Sequence, residues 1–183
     1  MSAEPEPTPN SAKSDSGRRS GGGRRRAARL AAVQALYEID VAGARPDPVL
    51  NDFLARRWAM NAAGDVAEEG APTLVEPDPE FLTDLVRGVA AHAPALDERI
   101  GPWLDGDWTV ERLEVLLRAI LRAGTYELAE RLDVPAETVI SEYVDVAHAF
   151  FAGREPGLAN AVLDKVARAL RPGELDGKAE TKR

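Results

Sequence analysis

The sequence predicts an all-α domain of about seven helices. Apolar residues recur at steps of three or four along most of the chain, clusters of Gly and Pro separate the periodic segments, and nowhere do four or more residues alternate in the β manner between turn signals. With 183 residues, 44% of them hydrophobic, the chain is long enough to bury the core of one ordinary domain.

Residues 1–23 are Pro, Ser, Gly, Glu and Arg with no aliphatic larger than alanine after Met1, a composition that cannot offset ordering entropy and predicts a disordered tail. From Arg24 the pattern changes. Leu30, Val33, Tyr37 and Val41 draw one stripe on a helix over 24–41, rich in alanine and stopped by Gly43 and Pro46. A less regular helix over 48–61 uses Val49, Leu50, Phe53, Leu54, Trp58 and Met60. Residues 62–79 form an acidic Gly- and Pro-rich connection, at whose end Asp78 can cap and Pro79 can open the next helix.

That helix, 79–92, carries Phe81, Leu82, Leu85, Val86 and Val89, and a short one beginning at Pro94 carries Leu96, Ile100, Trp103 and Leu104 up to residue 104. Thr109 is the expected cap of a helix over 110–131 with Leu113, Leu116, Leu117, Ile120, Leu121 and Leu128. Asp133-Val134-Pro135 starts a helix over 135–152 built on Val139, Ile140, Tyr143, Val144, Ala147, Phe150 and Phe151. The last helix, 156–170, buries Leu158, Val162, Val166 and Leu170 before Pro172-Gly173. The domain is thus 24–172, with a flexible C-terminal tail over 173–183.

Catalytic chemistry finds little to work with. There is no cysteine, which excludes disulfides, thiolate metal sites and cysteine nucleophiles and fits a cytoplasmic setting. Ser141 is the single serine of the predicted folded part, and His92 and His148 have no second ligand at i+3 or i+4. Gly21-Gly22-Gly23-Arg24 lacks both the Gly-Lys-Ser/Thr ending and the preceding strand of a phosphate loop. No active site, metal or cofactor is expected, and no apolar run is long enough for a membrane span.

The charge is unevenly spread. The first 29 residues hold seven basic and three acidic groups, a balance of +4 in a chain whose net charge is −8, so the remainder carries −12. Phosphate responds to the local field of an arginine cluster, screened over about 10 Å, rather than to the overall charge. Arg24, Arg25, Arg26 and Arg29 flank the predicted start of the first helix, itself an anion-favouring position, and Arg25 and Arg29 share a helix face. Arginine in this arrangement points to nucleic acid. Four phosphate contacts on a single strand would give a log–log salt slope of roughly −3. Tyr37, on the same helix, is either a core residue or a stacking group.

The run from Arg24 to Tyr37 (RRRAARLAAVQALY) resembles the opening helix of the NusB family of bacterial transcription antitermination factors. Phe81–Val89 followed by Leu96-Asp97, Ala119-Ile120-Leu121-Arg122 with Tyr126-Glu127-Leu128, Asp133-Val134-Pro135, Ile140-Ser141-Glu142 and Val162-Leu163-Asp164-Lys165 follow in the family's order. Together they cover about residues 24–170. The resemblance implies two small helical bundles, no catalysis, and a heterodimer with the ribosomal protein NusE. That pair is expected to bind single-stranded boxA RNA of ribosomal RNA transcripts within an RNA polymerase antitermination complex.

By position, Arg25, Arg26 and Arg29 match the basic RNA-contact motif, and Arg24 joins them as part of the same arginine cluster, while Arg154, Leu158 and Asn160 match a second RNA-contact region. Tyr37, Leu117, Arg118 and Arg122 match the partner-facing positions. Two departures stand out: Leu158 replaces an RNA-facing aromatic and cannot stack on a base, and Leu117 replaces a common partner-contacting acid. Alternative readings are an accessory domain for a separate RNA-modifying enzyme and a protein-binding helical module, including a homodimer.

Overall fold

The computed structural model describes residues 13–62, 75–106 and 108–175, with side chains described from residue 21 onward and not over 56–62. Six α-helices follow in order: α1 Lys13–Ala42, α2 Pro46–Ala62, α3 Pro79–Ile100, α4 Val115–Glu130, α5 Ala136–Phe150 and α6 Glu155–Leu170, with single 3₁₀ turns at Gly101–Trp103 and Val110–Arg112. The described residues contain no strand. Helix α4 lies at the centre, touching α1, α3, α5 and α6, while α2 packs on α1 and α3. One continuous apolar cluster runs through both halves of the chain, with Leu82, Leu85, Leu96, Ile100, Ile120, Leu121, Leu128 and Leu163 fully buried.

Three element boundaries differ from the sequence expectation. Helix α1 starts at Lys13, eleven residues before Arg24, so residues 13–23 are helical rather than part of a disordered tail; residues 1–12 and 176–183 lie outside the described residues. Propagating a helix costs less than nucleating one, so helical backbone can outrun the apolar stripe that periodicity detects. Helix α3 passes through Pro94, joining the two segments that the proline was expected to divide. Pro94 is exposed, so water can reach the carbonyl it frees, while Leu96 and Ile100 extend the buried face. Lastly, α4 begins at Val115 rather than at 110: the Glu114 side chain, not that of Thr109, caps it by accepting from the Leu117 amide at 3.0 Å. Asp78 caps α3 as expected, accepting from the Phe81 amide at 3.1 Å.

Polar groups fix how the helices meet. Arg29 on α1 is 3% exposed and Glu127 on α4 is fully buried. The guanidinium forks onto that carboxylate, Nε at 3.0 Å and a terminal nitrogen at 2.5 Å, and reaches Glu142 on α5 at 3.3 Å. Burial opposes the Arg29 charge, yet the hydrogen bond and field of Glu127 outweigh it and raise its pKa. Arg171, just past α6, donates to the carbonyls of Leu128 at 2.8 Å and Val134 at 2.7 Å and to that of Arg131 at 3.1 Å. A buried cation thereby satisfies the C-terminal end of α4, where free carbonyls and the helix dipole favour positive charge.

Glycine allows α3 and α4 to approach. A Cβ at Gly88 would overlap Cζ at the phenol end of Tyr126, whose hydroxyl donates to Asp84 at 3.0 Å. Burial first, then this hydrogen bond to a carboxylate, push the Tyr126 phenol up to about 12.

Two outcomes are expected. Arg29→Ala, which strands a buried Glu127 carboxylate, should cost about 3–5 kcal/mol in chemical denaturation, whereas Arg26→Ala at the surface should change stability by about 0.5 kcal/mol or less. Gly88→Ala should lower Tm by several degrees and disturb the near-ultraviolet circular dichroism of the tyrosines, because the ring must leave its place.

Candidate nucleic-acid interface

Helix α1 runs antiparallel to α4: its Arg29 meets Glu127 near the end of α4, and its Asp40 meets Arg118 and Arg122 near the start. The arginine cluster therefore stands at the end of the molecule where α4 finishes and α5 begins. Arg24 and Arg26 are exposed and Arg25 is half-buried. Because α1 extends upstream to Lys13, these residues lie within the helix, and the free amides of a helix N-terminus are not beside them as the sequence suggested.

Each of two arginines is held by a carboxylate from a distant element. Arg25 donates to Asp133, in the α4–α5 connection, at 3.2 Å, and Arg26 donates to Asp145 on α5 at 2.6 Å. Arg131 donates to the other oxygen of Asp133 at 3.1 Å and to Asp84 at 3.0 Å. Hydrogen bonding from Arg131, and after it from Arg25, keeps the Asp133 carboxyl below the usual carboxylate range. Beneath them the guanidinium groups of Arg25, Arg29 and Arg131 each stand 5.2 Å from the ring centre of Phe81, which is 3% exposed. The ring's negative face helps three cations share a small volume.

Arg29 departs from the sequence expectation. It was expected to grip phosphate with its neighbours, but its guanidinium is occupied inside the core by Glu127 and Glu142 and does not reach solvent. Its spacing from Arg25 placed both on one helix face, and that face turned inward.

The second predicted RNA region divides. Asn160 is exposed on α6 and shares a shallow hollow with Ser141 and Asp145, hence with the carboxylate that Arg26 holds. Arg154 and Leu158 line a different hollow of about 370 Å³ with Leu104, Trp108 and Leu117, near the start of α4. Leu158 and Asn160 stand only two residues apart on α6, about 200° round its axis, so the two hollows open on different faces of that helix. Trp108, 55% exposed at the rim of this second hollow, stands outside every periodic segment, so periodicity gives it no signal.

Of the expected partner-facing residues, Tyr37 is 40% exposed and Val41, one turn on, 60%. Arg118 and Arg122 bridge to Asp40 at 3.2 and 3.1 Å, and Arg122 forks onto Asp97 at 2.7 Å. That hydrogen bond to Asp97 outweighs partial burial and raises the Arg122 pKa. Leu117 is only 4% exposed, so its side chain belongs to the core beneath the surface, contrary to the expectation. Among the described residues no three His, Cys, Asp or Glu side chains gather as a metal site, and no helix is long and apolar enough to cross a membrane.

Comparison with known proteins agrees with this architecture. The NusB family model matches residues 26–168. The transcription antitermination protein NusB of Rhodospirillum rubrum is 49% identical over 160 residues, covering 82% of this chain and 86% of that protein. Its counterpart from Nitrobacter hamburgensis is 45% identical over 83% of this chain and 91% of its own length. Among solved structures, NusB of T. maritima superposes with a TM-score of 0.65 at 23% identity, covering 83% of this chain and 96% of that one. A chain from a crystal structure of antitermination factors NusB and NusE with double-stranded RNA superposes with a TM-score of 0.61 at 22% identity, covering 80% and 97%. On the family match and these near-full-length relatives, the chain belongs to the NusB family.

Proposed function

We propose that this chain is a non-enzymatic RNA-binding antitermination factor that pairs with NusE and binds single-stranded boxA RNA of ribosomal RNA operon transcripts, as part of an RNA polymerase antitermination complex. The observation that carries the reading is the surface set Arg24, Arg25 and Arg26 at one end of a body that is otherwise acidic. Arginine forks match phosphate oxygens two at a time, and such contacts position a strand without reading its sequence. Asn160 lies on the same side of the molecule as Arg26, across Asp145, and its amide offers both donors and an acceptor to a base edge. The exposed Tyr37–Val41 stripe, with Arg118 and Arg122 held by Asp40 beside it, supplies a separate surface for the protein partner.

With Arg29 inside the core, three arginines rather than four are available to phosphate. The expected slope of log K against log salt therefore falls from roughly −3 to about −2 on single-stranded RNA. Titration of labelled boxA-like and scrambled RNA, with and without NusE and at several salt concentrations, tests this. Arg25→Ala and Arg26→Ala should each weaken binding and reduce the slope by about 0.7 with unchanged thermal unfolding; a slope near zero would remove the arginines from the mechanism. Tyr37→Ala should weaken capture by NusE while leaving RNA binding by the isolated chain unaltered, as read by sedimentation of the mixture.

A further inference from the structure

The two best-placed arginines of the interface already hold anions. Arg25 is bonded to Asp133 and Arg26 to Asp145, at 3.2 and 2.6 Å, through residues more than a hundred positions away in sequence. All four side chains are substantially exposed, between 37% and 58%, so these pairs do not hold the core together. Carboxylate and phosphate oxygens compete for the same guanidinium donors. A strand that takes Arg26 must break its bond to Asp145 and then sit beside a freed negative charge.

We propose that Asp145, with Asp133, acts as a built-in counter-ion that occupies the phosphate-binding arginines and sets the threshold for RNA attachment. This deepens the RNA-binding function proposed above and rests on it. Asp145 matters more, because Asp133 also bonds Arg131 through its other oxygen and must keep that contact, whereas Asp145 has Arg26 as its one described bond donor. The device lowers the sequence-independent attraction that an unopposed arginine cluster would exert on any strand, leaving base contacts to decide which strand stays. Asn160 shares the hollow with Asp145, so a phosphate on Arg26 would bring the strand alongside a side chain able to read it.

The test is the affinity of the full-length chain for two short labelled single-stranded RNAs of unrelated sequence, by fluorescence anisotropy at low salt. Asp145→Asn should tighten binding about two- to fivefold, the range set by the interaction of one exposed ion pair, and by the same factor for both RNAs, since a phosphate contact carries no sequence information. Glu98→Gln, which removes an equal charge from the exposed face of α3, is the control for net charge and should give a much smaller gain. In an Arg26→Ala background the Asp145→Asn gain should vanish, as a coupled pair requires. If the wild type binds RNA through Arg26 but Asp145→Asn tightens no more than Glu98→Gln, or gains equally without Arg26, the counter-ion role is overturned and the RNA-binding function stands. If neither the wild type nor Asp145→Asn binds either RNA, the RNA-binding function fails and the counter-ion role with it.

Discussion

The Arg29–Glu127 pair is the constraint around which the helices are arranged. Two charges that water would otherwise solvate are brought into the apolar interior, and that is tolerable only when the fork geometry is good and the remaining hydrogen-bonding capacity is used. Arg29 meets the requirement by bonding Glu127 twice and Glu142 once. The consequence is positional: α1, α4 and α5 can meet in one register, because any slip along the α1–α4 seam would leave a buried charge unpaired. The apolar contacts of alanine and leucine at the same seam are less demanding and would accept several neighbouring registers. With that register set, Arg25 is carried to Asp133 in the α4–α5 connection and Arg26 to Asp145 along α5.

Arginine consequently has three different jobs in this chain. Arg29 and Arg171 are internal: one pairs helices, the other closes the carbonyl end of α4. Arg118, Arg122 and Arg131 lace helix surfaces together through Asp40, Asp97 and Asp84. Arg24, Arg25 and Arg26 remain at the surface. What is left over within α1 is a local positive field in a negative body, which overall charge conceals.

Much of the architecture was legible in the sequence because helical periodicity is a local property. The segments around α2, α5 and α6, the Asp78 cap, the Pro79 start and the C-terminal ends of α1 and α4 could all be found within a few residues. The failures were also local in origin. Pro94 predicts a break since proline removes a backbone donor, but an exposed proline leaves its freed carbonyl to water and the apolar face continues past it. Residue type points to Thr109 as the cap of α4, whereas Glu114 caps it after an intervening 3₁₀ turn. For the interface, the sequence pointed to a cluster of arginines and could not say which of them face outward.

What the sequence determined by itself was the helical class, the order of the helices, the family and the presence of a basic cluster before an acidic body, all of which reside in neighbouring residues or in their spacing. Tertiary structure alone decided that Arg29 turns inward, that Leu117 is covered, that Arg154 and Asn160 belong to different hollows, and that Asp133 and Asp145 close upon Arg25 and Arg26. The physical reason is that a charge's environment is set by groups brought to it from far along the chain. Periodicity assigns a residue to a face of its helix, but only packing shows whether that face meets water, another helix or a carboxylate.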